Sequence, residues 1–457
     1  MTSLKPEKGK QWEVNRSGGE HQVSGVKGLA LMAQLGTPSL ASGVIARRRP
    51  VMALLEKIQA DAPGVQKVRE LRKEHGPEPV EVSVFGRRFA VILDHQDVGA
   101  VLDGAPEPFH PANREKQAAL SVFQPHGSLI SEGTERTRRR ETNERALGMT
   151  DEIHENAEGL VKCVVEEAQQ LCDRARIVGK LDADEFNRAW WRVVRSVVLG
   201  PAARDDEELT DMLWKLRGNA NWAYFRPSRR RLREEFTERL HRYVDNAPAD
   251  SLAASLPGVG DREEEVGQIP HWLFAFDAAG MASIRALALL AAHPEKMKAA
   301  RRDAETLRSG TPQLLPYLRS VVLESVRLWP TTPVILRDTT EDTHWQRDGK
   351  GVTIPSGAAI LIVAAAFHRD EAKFPFADRF EPEIWLDGRA HKEPSLVPFS
   401  GGPAECPGRN VVLLTTSTML AQMVSTAAFE LVSEPKLSPA EDLPETYNNF
   451  GIEFAVS

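Results

Sequence analysis

The apolar positions of this chain change period several times, and each change marks an element. Met52, Leu54, Leu55 and Ile58, then Val65, Val68 and Leu71, recur at helical spacing with a break near Pro63, which predicts two helical pieces between Pro50 and His75. At Val80 the period drops to two. Val80, Val82 and Val84 alternate, Gly86-Arg87-Arg88 turns the chain, and Phe89, Val91 and Leu93 alternate back, so a hairpin is expected over 80–93. Helical spacing returns in the stripe Phe186, Trp190, Val193, Val194, Val197, Val198, and again over 209–222. The stretch 260–292 is apolar nearly all round, from Trp272 through Ala278-Ala279-Gly280-Met281-Ala282-Ser283 to Leu290, which predicts a helix buried on every side. Helices over 317–329 and 411–423 complete the set. Helices dominate and strands are few, so the fold class is mainly α with a small β region (α+β). Residues 1–25 are polar and show no period, and a flexible N-terminal tail is expected there, ahead of a folded body over 26–457.

Composition narrows the classes. The chain has 457 residues and a net charge of -7, which excludes nucleic acid as a bulk partner; its basic character is local. Length alone would allow two or three units. Cys163 and Cys172 lie nine residues apart on one predicted helix, about half a turn out of phase, so they neither bridge nor share a metal. Low cysteine usage points to a reducing interior, and the expected localisation is cytoplasmic. The uncharged stretch 28–46 is too rich in Gly, Ser, Pro and Gln to span a bilayer, and Asp277 and Arg285 argue against a span in the apolar stretch, so no integral membrane association is expected.

The candidate chemistry centres on Phe399-Ser-Gly-Gly402-Pro-Ala-Glu-Cys406-Pro-Gly408-Arg-Asn. Pro407 suits a first helical position, which would put Cys406 at an N-cap facing free amides, a place that favours a thiolate. A thiolate so presented is a metal ligand or a nucleophile, whereas the plain alternative is a capping loop whose cysteine is merely buried. No His or Cys follows within twenty residues, so a zinc cage lacks partners. One thiolate on a flat iron macrocycle, with glycines against the ring, fits better.

At Phe399, Gly402, Cys406 and Gly408 the chain resembles the cytochrome P450 superfamily of haem-thiolate monooxygenases, of the soluble bacterial type. The resemblance runs from about Pro50 to the C-terminus and implies one large P450-like domain holding haem b through Cys406, the metal ligand. In that family a helix offers two residues four apart to a haem propionate, here Arg136 and Arg140; a later strand offers a third, here Arg337. Glu324 and Arg327 match the family's Glu-x-x-Arg brace. Its usual third member is replaced by Ile384, with Arg379 as a substitute, and Ala404 stands where another propionate ligand is usual. Ala279 and Gly280 match a bare backbone patch over the iron. The family's acid-alcohol pair is here Ala282 and Ser283: the hydroxyl remains and the acid is gone, while Asp277 points some 140° away.

Arg226, Arg229 and Arg230 belong to a basic run where the family has a mobile lid, so they are candidate contacts for an anionic substrate. No dinucleotide fingerprint is present, and electrons are expected from a ferredoxin and its reductase. The expected activity is oxidation of a small or medium organic molecule, or of a peptide-derived substrate, in secondary metabolism, by a monomer. The alternatives are substrate-assisted decarboxylation, coupling or a peroxide-driven reaction, and a haem sensor without turnover.

Overall fold

In the computed structural model, which describes residues 21–258, 261–309, 311–347 and 350–457, the apolar stretch folds into a spine helix, Ile269–Ala292. Pro270 sits in its first turn, where a missing N–H costs nothing. Trp272, Leu273, Phe276, Leu287, Leu289 and Leu290 are buried in the largest core cluster, which the spine shares with helices Ala183–Leu199, Pro316–Leu328 and Arg409–Thr426. Among the described residues, 262–292 is the one helical stretch long and apolar enough to cross a membrane, and 78% of its most apolar window is buried inside the protein.

The β region forms around the hairpin read from the alternation. Val80–Val84 pairs antiparallel with Arg87–Val91, and the two-residue turn between them has both residues at positive φ, Phe85 at 49° and Gly86 at 77°. The sheet then continues through Ala359–Val363 and Val334–Thr339 to Phe109–His110. On its other edge Gln22–Val23 pairs parallel with Glu81–Val82, and a helix begins at Gly25. The expected tail therefore does not reach residue 25; its first 20 residues lie outside the described ones.

Below the spine the Glu324–Arg327 pair is sealed from solvent, its two side chains being 0% exposed at 2.6 Å. Arg327 also donates to the carbonyls of His368, Phe376, Ala377 and Arg379, so one guanidinium gathers four points of an irregular segment. Glu324 accepts from the Glu381 amide at 2.9 Å and from Trp385 Nε1 at 3.0 Å. This corrects the expected third member of the brace. The Arg379 side chain leaves for Pro439 and Asp442 at the surface, and the indole of Trp385, next to the apolar Ile384, takes the place.

Trp385→Phe should lower stability by about 1.5–3 kcal/mol, the range for a hydrogen bond to a buried charge. Arg379→Ala should change it by less than about 0.5 kcal/mol. Urea midpoints of the two variants measure this, and equal midpoints would return the third place to Arg379.

Candidate active site

The Cys406 loop is set by backbone geometry before any side chain acts. Gly402 has φ 61°, and a Cβ there would lie 2.2 Å from the Leu102 carbonyl oxygen, so only glycine fits. The Cys406 amide donates to the Phe399 carbonyl at 3.0 Å, closing the loop, and the half-buried Phe399 ring packs on the main core. His368, held neutral by burial, accepts the Val397 amide at 3.1 Å and fixes the approach to the loop. The following helix begins at Arg409 with Gly408 as its N-cap, two residues later than expected, so Pro407 is not its first residue. At Gly408 an added Cβ would meet only ordinary contacts, 3.6 Å to Leu147 and 3.7 Å to Val411, so packing within the polypeptide does not demand glycine there.

Burial pushes the Cys406 thiol up, while the Gly408 amide and the charge of Arg140 act the other way. The sulfur thus keeps its proton unless a cation replaces it, which is the setting of a single-thiolate metal ligand. No group of three His, Cys, Asp or Glu side chains able to hold a metal exists among the described residues. Cys163 and Cys172, both on helix Ala157–Val178, are pushed up to about 12 by burial and are inert thiols.

Three cations, Arg136 and Arg337 buried and Lys116 half-buried, form a cradle in which none makes a direct ion pair; Asp338 and Glu115 act on Lys116, and Glu144 on Arg136, only through space. Arg136, 8% exposed, donates to the Ser128 carbonyl at 3.3 Å. Arg337, 3% exposed, donates to the Leu336 carbonyl at 2.9 Å and to Ser400 Oγ at 3.1 Å, and its buried Nε has no partner. Lys116 Nζ donates to that same Leu336 carbonyl at 2.7 Å and to Pro111 at 2.9 Å. Among the described residues none of the three is in an ion pair. Desolvation first, and mutual repulsion second, lower the proton affinity of each: Arg337 repels Lys116, Arg136 repels Arg337, and Arg140 repels Arg136. Buried cations are normally paired, so this cradle fits a ligand that brings carboxylates. A flat iron macrocycle with two propionates meets that demand, and the single sulfur of Cys406 meets the demand of its metal.

Two sequence expectations change here. Arg140 is engaged by Glu144 and Met149 Sδ, so its guanidinium is not free to clamp a carboxylate, although its charge reaches Cys406. Lys116 was missed: it lies in the first turn of helix Arg114–Leu120, capped by Asn113, in a polar run, and nothing local distinguishes it from a solvated lysine.

Along one face of the spine helix runs a half-buried stripe. His271, Phe274, Ala275, Ala278 and Met281 are its half-buried positions between 271 and 281, at spacings of three and four that place them on one face. Gly280 is on another face, where a Cβ would lie 2.5 Å from Cδ1 of Trp190, whose Nε1 donates to the Phe276 carbonyl at 2.7 Å. The bare patch expected at Ala279-Gly280 is therefore filled on the Gly280 side by an indole, and the small residues on the open stripe are Ala275 and Ala278. Ser283 is fully buried and donates to the Ala279 carbonyl at 2.8 Å. Asp277 is tied to Arg217 at 2.7 Å, both side chains being buried, so it stands in for no missing acid.

Arg226, Arg229 and Arg230 are exposed, with Arg226 lying over the Trp222 ring at 5.4 Å. The cations near the spine are Arg217 and Arg285, both buried, and the half-buried Arg47. The start of the segment carrying the exposed arginines is fixed by Asn221, which accepts from the amides of the buried Ile45 and Ala46 and donates to the Ala46 carbonyl.

A mainly helical fold around an apolar spine, one half-buried cysteine in a glycine loop and a cationic cradle beside it are the features that the resemblance to haem-thiolate enzymes implies. Residues 277–448 match the family model for cytochrome P450. Over that stretch the chain is similar to the cytochrome P450 superfamily, whose members carry haem b. It is 28% identical over 274 residues to drimenol monooxygenase of Persicaria hydropiper, a match covering 50% of this chain and 53% of the relative. It is 36% identical over 145 residues to cyclooctat-9-en-7-ol 5-monooxygenase of Streptomyces melanosporofaciens, covering 30% and 31%. It is 32% identical over 154 residues to a probable cytochrome P450 4s3 of Drosophila melanogaster, covering 34% and 30%. The chain thus spans between about a third and a half of the length of these relatives. They come from a plant, a bacterium and an insect, so the likeness does not single out a bacterial type.

Gly280→Ala should destabilise the protein by about 1–3 kcal/mol through overpacking against Trp190. Thermal unfolding reads it, and Ala278→Gly, on the open stripe, should lose about 1 kcal/mol or less through helix propensity alone. An unchanged melting temperature in Gly280→Ala would place Gly280 on the open face after all.

Proposed function

We propose that this protein is a haem-thiolate monooxygenase that oxidises a small or medium-sized organic molecule in the tailoring of a secondary metabolite. The observation that carries this reading is one half-buried cysteine beside three cations, two of them buried, that make no direct ion pair. Haem b, when bound, supplies an iron able to activate dioxygen, with the thiolate favouring O–O cleavage. Cys406 Sγ would be its protein ligand, and Arg136, Arg337 and Lys116 would hold its carboxylates. Two relatives named as monooxygenases of drimenol and of cyclooctat-9-en-7-ol support the substrate class.

The remaining residues orient and exclude. Phe274, Ala275, Ala278 and Met281 offer an apolar, narrow-sided face along which a substrate can lie. Ser283 gives its hydrogen to the Ala279 carbonyl, so its oxygen can accept from a water but must rotate before it can donate. This engaged hydroxyl, with Ala282 in place of an acid, also favours a second reading in which the substrate or its own water supplies protons. Electrons are proposed to come from a separate partner, a ferredoxin with its reductase. Arg138 is exposed and available to an acidic partner once it leaves Glu264, whereas Arg139 is buried against Ser131 and Glu264. The three cysteines are free, in keeping with a cytoplasmic setting.

Cys406→His should abolish the red-shifted Soret band of the reduced carbon monoxide complex, while Cys163→Ser and Cys172→Ser keep it. Loss of the band in both of the latter would refute the ligand assignment. Lys116→Met and Arg337→Ala should each speed haem transfer to apomyoglobin by about tenfold, the scale of one charge-assisted hydrogen bond. Wild-type transfer rates in both variants would remove the cradle from the cofactor.

A further inference from the structure

An array beside the Cys406 loop is used by none of this chemistry. His95 Nε2 lies 2.9 Å from Asp370 Oδ2, and His95 Nδ1 lies 2.6 Å from Ser395 Oγ, the Asp–His–Ser order of a hydrolytic triad. Ser395 is 1% exposed, so its hydroxyl meets no substrate and the array holds rather than reacts. Its parts come from three separate stretches. His95 opens helix His95–Asp103, Asp370 follows the short helix Ala364–His368, and Ser395 lies just ahead of Phe399, where the cysteine loop begins.

The imidazole is fixed by charge and by packing. Burial opposes ionisation of Asp370, but hydrogen bonds from His95 and Arg72 outweigh it and hold the carboxyl well below the usual carboxylate range, so Asp370 only accepts. His95 Nε2 therefore carries a proton. Nδ1 then accepts from the Ser395 hydroxyl when the ring is neutral and donates to its oxygen when the ring is charged, so both bonds survive in either state. Arg72, on helix Ala62–His75, also donates to the Leu93 carbonyl at 2.6 Å. Phe367 and Phe374 stand edge-on to the ring at 5.2 and 5.8 Å.

What the array fastens is the seat of the cysteine loop. Positions 95, 99 and 102 recur at spacings of four and three, so they share one face of helix His95–Asp103. His95 meets Ser395, a Cβ at Gly99 would lie 2.6 Å from Cβ of Pro394, and the Leu102 carbonyl is the group that bars a side chain from Gly402. That face thus runs along the chain from Pro394 to Gly402. Gly99 and Gly402 give it close packing, and His95 gives it a hydrogen bond.

We propose that His95 is a positioning residue for the sulfur: the Asp370–His95–Ser395 array clamps the Cys406 loop to helix His95–Asp103 and so keeps the sulfur on its metal. This deepens the haem-thiolate reading of the site and rests on it.

The test uses the full-length protein as purified and two variants. His95→Phe keeps an aromatic ring between Phe367 and Phe374 and removes both hydrogen bonds; Ser395→Ala removes one at little loss of volume. Amide hydrogen exchange, read by mass spectrometry on peptides covering 397–408 and 269–292, reports on the loop and on the spine without any haem signal. The rate at which the reduced carbon monoxide complex loses its red-shifted Soret band reports on the sulfur. In both variants the loop peptide should exchange, and the band should decay, about tenfold faster than in the wild type, the scale of one buried hydrogen bond, while the spine peptide stays within about twofold. If one variant does not fold, the other decides. Wild-type rates of exchange or of band loss in any variant that folds overturn the clamp, and so does equal acceleration of loop and spine. A wild type that never shows the red-shifted band refutes the haem-thiolate reading instead, and exchange of the loop peptide then decides the clamp alone.

Discussion

The buried charge pair of Glu324 and Arg327 is the constraint on which the lower half of the molecule depends. An unpaired charge of either sign at 0% exposure would be prohibitive, so the two side chains must meet. Once they meet, their remaining valences dictate where the neighbouring chain can go. Four carbonyls between His368 and Arg379 converge on one guanidinium, and the Glu381 amide and the Trp385 indole converge on one carboxylate. A segment with little regular structure becomes as fixed as a helix. That segment leads to Leu396 and Val397, where His368 takes over, and then into the loop that presents Cys406. The sulfur is positioned by a chain of backbone hydrogen bonds that starts at a salt bridge.

Above the sulfur the spine helix divides its circumference among different neighbours. One face is used up by Trp190 at Gly280, another by Arg217 at Asp277, and a third carries Arg285, which reaches the Tyr447 and Trp329 carbonyls. What is left is a narrow stripe, polar at one end and apolar along its length. The exposed cations Arg226, Arg229 and Arg230 do not alter that; Asn221, at the start of their segment, is tied to the buried residues 45 and 46.

Features that depend on residues close in sequence were legible without coordinates. The period of the spine, the alternation of the hairpin, the glycine and proline spacing around Cys406 and the Glu324/Arg327 interval all have local causes. What escaped was pairing between distant residues. Trp385 completes the brace from 61 positions away, Lys116 meets the Leu336 carbonyl from 220, and Gln124 meets His271 from 147. Each is a residue type that is ordinarily solvated or simply buried, so its local pattern carries no signal. Gly280 illustrates a subtler limit: a missing side chain is visible in the sequence, but which neighbour occupies the room is not. The same holds for Arg140, whose i, i+4 relation to Arg136 was right and whose partner, Glu144, stands one turn further on.

On the proposed reading, in which Arg136, Arg337 and Lys116 hold the cofactor's carboxylates, cofactor loading is tied to the proton. Of the three, Lys116 is the one whose acid form can be given up, since burial and the Arg337 charge hold its proton affinity well below that of a free lysine. Carboxylates arriving in the cradle restore that affinity, so the loaded protein binds protons that the empty one can release. By linkage, loading weakens as pH rises from the depressed value of the empty protein toward the restored value of the loaded one, and is independent of this group below the depressed value. A side chain that never touches the iron would in this way make the retention of the cofactor a function of pH.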